Sequence, residues 1–163
     1  MGVNLNTTFK DILDRVYVTL FKDYKLDNLK KIDEQAFYTF LGGFLVNSID
    51  MFDGCLSNLE YTEKDIEIGE GIIVKTYEFT RELSSKEQYI LSLGVAIGWY
   101  KMHLDDVTQY ELHLSSKNFK TYSEQANLAK RLERISVMEE NLSKEITNYQ
   151  LNNLSSLPFF GGV

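Results

Sequence analysis

One histidine and one aspartate near the middle of the chain have the spacing of a metal site. In "HLDD", residues 103–106, His103 and Asp106 are three positions apart, so on a helix they would lie on one face and could share a metal ion. The alternative is a helix that ends in polar residues. This second interpretation is favoured, because the only other histidine is His113 and the sequence shows no acid-rich apolar pocket.

Cys55 and a pair of glycines offer two other kinds of chemistry. Cys55 is the only cysteine, and the sequence places no histidine or evident base near it, which argues against a nucleophile. The "GEG" at residues 69–71 lacks the Gly-Lys-Ser/Thr that completes a phosphate-binding loop. Trp99 and the tyrosines around it have helical spacing, which is more typical of a core than of a ligand cage. We therefore expect no catalytic residue, no cofactor and no metal, and a protein that is not an enzyme.

The negative charge of the chain is concentrated in one segment. The net charge is −7 at pH 7. Residues 50–70 contain seven acidic side chains and only Lys64 as a base, so this segment alone carries −6. It is either a solvated loop or a surface that attracts a basic partner or repels DNA. Because affinity for nucleic acid depends on basic side chains that neutralise phosphates, an acidic chain is poorly suited to hold DNA or RNA.

Length and composition indicate one folded domain that is made in the cytoplasm. The chain has 163 residues, of which 44% are hydrophobic and 13% aromatic, enough for a sizeable core. No apolar run reaches the roughly 18 residues of a membrane span. The first residues lack the basic and apolar regions of a secretory signal. A single cysteine excludes an internal disulfide and suits a reducing compartment.

Hydrophobic periodicity predicts four helices, of which two lie in the N-terminal third. The first helix is expected at residues 8–24, followed by a connector, "LDNLKKID", at residues 26–33. The second helix should begin at Asp33, a suitable N-cap. Gly42 and Gly43 within it would allow a close helix approach or a kink. The predicted inward face of this helix comprises Ala36, Phe37, Phe40, Leu41, Phe44 and Leu45.

The third helix, in "SSKEQYILSLGVAIGWYKMHL", is the predicted centre of the domain. Ser84 and Glu87 have the spacing of a capping box at its start. Residues 89–100 are almost entirely apolar, and a helix that is apolar nearly all round is buried on several sides. Gly94 and Gly98 form a smooth patch for close packing by another helix. The residues expected to be buried include Leu93, Ile97 and Tyr100.

A seven-residue repeat predicts the fourth helix at residues 124–149. Its apolar seam could pack within the domain or against another subunit, and Glu139 interrupts it. The seam consists of Leu128, Ile135, Leu142 and Tyr149, with Leu132, Met138 and Ile146 between them. The residues that lead into this helix combine two lysines with two aromatic side chains. The candidates for a protein interface here are Lys117, Phe119, Lys120 and Tyr122. The alternative is that the stretch is only a structured helix entry, in which both lysines face water.

The remaining segments predict a small β-element and a tail. Residues 53–76 lose the helical pattern, and "DIEIGEGIIVKTYEF" alternates loosely with β-branched residues, so a hairpin or short strands are expected around residues 69–71. Residues 151–163, "LNNLSSLPFFGGV", contain Pro158 and are predicted to be extended. The tail should dock on a neighbouring subunit or partner through Leu157, Phe159 and Phe160, or else fold back over its own domain.

These elements together predict the fold class. The protein should be mainly α, with one helical domain at residues 1–150 and an extended C-terminal tail at residues 151–163. The domain is expected to be a four-helix-type bundle, with the hairpin or short strands inserted between helices 2 and 3.

Two stretches in the second half of the chain resemble a known family. "SSKNFKTYSEQANL", residues 115–128, is similar to the pattern Ser/Thr-Lys-Asp-Phe-x-x-Tyr-Ser-x-x-Asn-Leu of small structural proteins of tailed bacteriophages, encoded among head and neck genes. Upstream, "YEFTRELSSKEQYILSLGVAIGWYK" matches the same family in order at Phe79, Arg81, Leu83, Glu87, Ile90, Leu91 and Trp99. The resemblance covers residues 77–150.

This resemblance implies a function in the virion. It implies a helical head–tail connector, or neck adaptor, whose subunits form a dodecameric ring between portal and tail around the DNA channel. The implied partners are further copies of the chain, the portal, and the tail or a second adaptor protein, with DNA passing non-specifically and no membrane. The implied location is the neck of the virion, after synthesis in the bacterial cytoplasm. The alternative is a helical adaptor or regulatory protein-binding module outside the virion.

Overall fold

The computed structural model describes residues 6–19, 24–67, 73–114 and 122–154. Within these ranges the chain forms five helices and two strands, which confirms the mainly helical class and the β-element between the second and third predicted helices. The elements in order are α1 (Phe9–Thr19), α2 (Tyr24–Ile32), α3 (Glu34–Met51), β1 (Tyr61–Glu67), β2 (Ile73–Phe79), α4 (Ser85–Leu114) and α5 (Tyr122–Leu154).

The predicted first helix and its connector are in fact two helices. Residues 26–33 were expected to be a connector, and this prediction is wrong, since residues 24–32 form α2. Leu26 and Leu29 are three positions apart and so share one helix face. Leu26 is 1% exposed and Leu29 packs against the core. Burial of this short apolar face gives α2 a tertiary reason to form despite its polar composition.

Helix α3 begins as its sequence predicts. The side chain of Asp33 accepts a hydrogen bond of 2.8 Å from the backbone N–H of Ala36, which caps the helix. Phe37, Leu41 and Leu45 of the predicted inward face are completely buried. Phe40 is an exception, because it is 39% exposed and contacts the ring of Trp99 edge-on.

The glycine pair inside α3 does not provide the close helix approach that was one expectation for it. A Cβ added at Gly42 or at Gly43 would meet no described atom within 4 Å, so no helix approaches closely there. The helix also continues through both residues to Met51.

The two strands form the predicted hairpin. Strands β1 and β2 are antiparallel, with Tyr61 opposite Phe79 and Glu67 opposite Ile73, while the turn at residues 68–72 lies outside the described residues. Part of the acidic segment is therefore strand and not solvated loop. Its charges are partly compensated across the hairpin, where Lys75 pairs with Glu63 and Lys64 pairs with Glu78.

Helix α4 is the centre of the domain, as predicted, since α1, α3 and α5 all pack against it. Leu93 and Ile97 are buried, whereas Tyr100 is only partly buried, contrary to expectation. The close approach predicted at the two glycines of α4 is present on the side of α3. A Cβ added at Gly94 would collide with Ser48, and one at Gly98 would lie 2.7 Å from the ring of Phe44.

Helix α5 packs on α4 along most of its predicted seam. Ile135, Leu142 and Tyr149 are buried, and Met138 and Ile146 pack partly buried against the core, whereas Leu132 is 49% exposed and does not pack within the domain. The helix runs to Leu154, five residues beyond its predicted end. Residues 151–154, predicted to begin the tail, are thus helical, and residues 155–163 lie outside the described residues.

Candidate functional site

Most residues chosen from the sequence as interface candidates lie outside the part of the chain that the structure describes. These are Lys117, Phe119, Lys120, Leu157, Phe159 and Phe160. Tyr122 is the first residue of α5, but its side chain is not among those described. Their roles therefore stay predictions. Of the suggested metal pair, the ring of His103 meets Trp99 edge-on at 4.1 Å, and the side chain of Asp106 is not described.

A buried carboxylate at the start of α4 joins segments that are distant in sequence. Glu87 is only 2% exposed. Arg81 donates to both of its oxygens, at 2.8 and 3.1 Å, and the hydroxyl of Tyr149 donates at 2.8 Å. The backbone N–H of Ser84 donates at 2.8 Å. We call Cys55, Arg81, Ser84, Glu87 and Tyr149 the Glu87 cluster.

Local sequence explains how each side chain reaches the Glu87 cluster. Ser84 and Glu87 form the predicted capping box, since the hydroxyl of Ser84 also accepts from the backbone N–H of Glu87 at 3.3 Å. Arg81 follows β2, and its Nε donates to the carbonyl of Asn58 at 2.9 Å. Tyr149 is the last residue of the α5 seam. The cluster therefore ties the start of α4 to the hairpin, to the loop before β1 and to the end of α5.

Glu87 and Arg81 of the Glu87 cluster both remain charged at neutral pH. Burial alone would raise the pKa of Glu87, but hydrogen bonds from Arg81, Tyr149 and Ser84 outweigh it and lower the pKa to about 2. The hydrogen bond to Glu87 raises the pKa of Arg81 in turn. Burial, followed by the hydrogen bond to Glu87, raises the pKa of Tyr149, which keeps its proton. The result is an ion pair supported by a neutral phenol.

Cys55 has an acidic neighbour that its sequence position does not reveal. Its Sγ lies 3.7 Å from Oε1 of Glu87 and 3.7 Å from the hydroxyl of Tyr149. Burial, as the main cause, and the negative charge of Glu87 raise the pKa of the Cys55 thiol. A thiol with a raised pKa is a poor nucleophile, because the thiolate is the reactive form. The contact therefore gives Cys55 a packing and hydrogen-bonding role.

An open pocket of about 860 Å³ lies beside the Glu87 cluster. Its lining includes Arg81, Lys86, Glu87, Tyr149 and Asn152. Both cations already face carboxylates, because Arg81 pairs with Glu87 and Lys86 pairs with Glu145 of α5. The pair of Lys86 with Glu145 holds α5 against α4. The arrangement is suited to fixing helices, and neither cation is left to bind an anion.

Helix α5 also carries exposed apolar side chains, in contrast to its buried contacts at the Glu87 cluster. Leu132, Val137 and Leu151 are 49%, 59% and 58% exposed. Polar contacts attach the middle of the helix to α4. Arg134 lies 4.6 Å above the ring of Tyr100, and Lys101 pairs with Glu139 at 2.6 Å. These three apolar side chains are separate exposed positions along the helix, and they are candidate protein-contact residues of the described chain.

The described residues contain neither a candidate membrane span nor a candidate metal site. No helix in the described ranges is long and apolar enough to cross a membrane. Among the described residues, no three His, Cys, Asp or Glu side chains lie close enough together to hold a metal ion. Comparisons of the chain with protein-family models, with curated proteins and with solved structures found no match.

Proposed function

We propose that this chain is a structural subunit of the neck of a tailed bacteriophage and not an enzyme. In this proposal it is a head–tail connector that associates with further copies in a ring, bridging the portal and the tail or a second adaptor around the DNA channel. The observation that carries the proposal is the exposed apolar surface of α5. Leu132, Val137 and Leu151 are each about half exposed or more on one long helix, as a subunit that binds neighbours requires.

The residues that carry the family resemblance support a shared fold. Five of the seven upstream matches are buried apolar side chains of the core, namely Phe79, Leu83, Ile90, Leu91 and Trp99. The other two, Arg81 and Glu87, form the ion pair of the Glu87 cluster. A common requirement for this core and this ion pair explains why these residue types recur in order. The proposed function in the virion neck rests on the exposed apolar side chains of α5 and not on these buried residues.

The packing of the helices supports a bundle as part of the same proposal. Helix α4 lies against α1, α3 and α5, and in this proposal these four helices are the members of the bundle. In this view α1 and α2 together take the place of the predicted first helix. The hairpin then sits at the α1 side of the bundle, where Thr8 bridges to Glu78 of β2.

The charge of the chain is compatible with a wall of a DNA channel. The net charge is −7, and Glu34, Asp65 and Glu82 are exposed. A surface of this sign repels phosphates, so DNA would pass without being held. A chain whose task was to bind DNA would need the opposite sign.

Peptide mapping of purified particles tests the proposal. Particles assembled from the genome that encodes the chain should contain it in a constant ratio to the portal, and cross-linking should join it to portal or tail proteins. An abundant soluble enzyme of the same lysate serves as the control for contamination. Absence of the chain from particles would end the connector proposal and leave a helical adaptor outside the virion. A monomer in dilute solution would not decide the matter, because a connector can assemble on the particle.

A further inference from the structure

One segment of α5 is exposed at every position. All six residues from Ala129 to Arg134 are exposed. Since an α-helix completes a turn every 3.6 residues, their side chains point in several directions round the helix, and Arg134 lies over the ring of Tyr100. Lys130 and Arg131 have no ion-pair partner among the described residues. With the exposed Leu132 and Val137, residues 129–137 form a surface that is both basic and apolar, which we call the basic segment.

A second surface has the opposite charge and a similar apolar content. Residues 50–60 contain Asp50, Asp53 and Glu60 and no basic residue. All three acids are exposed and have no ion-pair partner within the described part of the chain. Met51 and Leu56 between them are 40% and 52% exposed. We call residues 50–60 the acidic corner.

One copy of the chain cannot bring these two surfaces together. The acidic corner lies at the far end of α5, where the side chain of Gln150 donates to the carbonyls of Asp53 and Gly54, at 3.5 and 3.4 Å. Arg134 is sixteen residues before Gln150 on the same helix, which is roughly 24 Å at 1.5 Å per residue. The two surfaces can therefore meet only between copies.

We infer that copies of this chain bind each other head to tail, with the basic segment of one copy on the acidic corner of the next. Opposite charges bring the surfaces together and set the register, while Val137, two turns from Lys130 on the same helix face, meets Met51 and Leu56. A contact between two different surfaces repeats from copy to copy and gives a closed ring or a filament. The inference rests on the proposed ring assembly and names the subunit contact within it.

The size of the two surfaces predicts a weak contact. Each has about ten residues, below the 20–30 residues a side of a stable interface, so a dissociation constant on the order of 0.1 mM is expected. Sedimentation velocity at protein concentrations up to about 1 mM should detect this association. It should be strongest at about 0.02 M salt and weaken at about 0.3 M, because salt screens exposed charges.

Two charge-reversed variants give the decisive experiment. K130E/R131E makes the basic segment acidic, and D50K/D53K makes the acidic corner basic. Each variant alone places like charges together and should self-associate at least about tenfold more weakly than the wild-type chain. An equimolar mixture of the two variants should associate as strongly as the wild-type chain. In the mixture the altered helix of the first variant meets the altered corner of the second, and their two native surfaces also match.

Matched controls change the same amount of charge at other exposed positions. K31E/K144E replaces two lysines whose pairs are i,i+4 contacts on a helix surface, and E34K/E82K replaces two exposed acids. Both controls should associate like the wild type, and circular dichroism should show all four variants folded. The inference fails if the wild type stays monomeric at about 1 mM, if the mixture does not recover, or if the controls lose association equally.

The outcomes also separate this inference from the proposed function. A chain that is found in particles but does not self-associate through these surfaces overturns the inference and leaves the neck assignment standing. A chain that assembles through them but is absent from particles overturns the neck assignment alone.

Discussion

The ion pair at the centre of the Glu87 cluster should contribute a measurable part of the stability of this domain. Glu87→Gln keeps the shape of the side chain and removes its charge. A carboxyl whose pKa falls from an ordinary 4.5 to about 2 on folding is stabilised in its charged form by roughly 3 kcal/mol. Removing one partner also leaves Arg81, whose side chain is 29% exposed, without its carboxylate. The free energy of unfolding should therefore fall by about 2–4 kcal/mol at pH 7.

The pH dependence of this loss has a definite sign. Because the pKa of Glu87 is lower in the folded state, its contribution is complete above the ordinary pKa of 4.5 and disappears as the pH falls towards about 2. The free energy of unfolding of the wild-type chain should thus exceed that of Glu87→Gln by a constant amount from pH 5 to pH 7. This excess should become smaller below about pH 4.5. Urea unfolding of both chains, monitored by circular dichroism at pH 7, 4 and 3, measures this difference in the free energy of unfolding.

A matched control exists on the surface of α5. Glu140 pairs with Lys144 four residues along the helix, and both side chains are about two-thirds exposed. Glu140→Gln makes the same chemical change and should have a much smaller effect on the free energy of unfolding, because water screens this exposed pair. If Glu87→Gln costs no more than Glu140→Gln at pH 7, or if its effect does not shrink in acid, the reasoning about the Glu87 cluster is refuted.

Two glycines, one core leucine and the tail provide further tests. Gly94→Ala should lower the free energy of unfolding by about 1–3 kcal/mol, because its methyl group would collide with Ser48. Gly42→Ala, which meets no described atom within 4 Å, should raise it by about 0.5–1 kcal/mol. Urea unfolding of both variants checks this contrast, and equal effects would contradict the described packing. Leu93→Ala should cost about 2–5 kcal/mol and lower the thermal midpoint in calorimetry; an unchanged midpoint would show that α4 is not the centre. Deleting residues 157–163 should leave a folded monomer by circular dichroism and impair assembly into particles, whereas an unfolded deletion variant would assign the tail to the core.

Features that depend on neighbouring residues could be predicted from the sequence. The cap at Asp33 and the capping box of Ser84 and Glu87 involve hydrogen bonds over three residues, so the residue types and their spacing were sufficient. The hairpin likewise follows from strand-forming residues on both sides of a glycine-containing turn. The prediction failed at α2, which has nine residues and only a short apolar face. A helix of this length depends on burial of Leu26, which no local pattern measures.

The Glu87 cluster could not be predicted because its members are brought together by tertiary packing. Cys55 is 32 residues from Glu87, and Tyr149 is 62 residues away. Two partial signals were present in the sequence. Glu87 stood in a capping box, and Tyr149 ended an apolar seam although it carries a hydroxyl that needs a partner when buried. Neither signal states that the two side chains meet, since that depends on the register of α5 against α4.

The long separation between Glu87 and Tyr149 also has a consequence for how the chain folds. Arg81 and Glu87 are six residues apart and can pair early, whereas the bond from Tyr149 closes a loop of 62 residues. Loops of this length close at a larger entropic cost, so long-range contacts form late in folding. During synthesis, a chain that stops before residue 149 would keep Glu87 short of one hydrogen-bond donor and its core without the end of α5. The buried polar network is therefore completed only after α5 has been synthesised and has packed against α4.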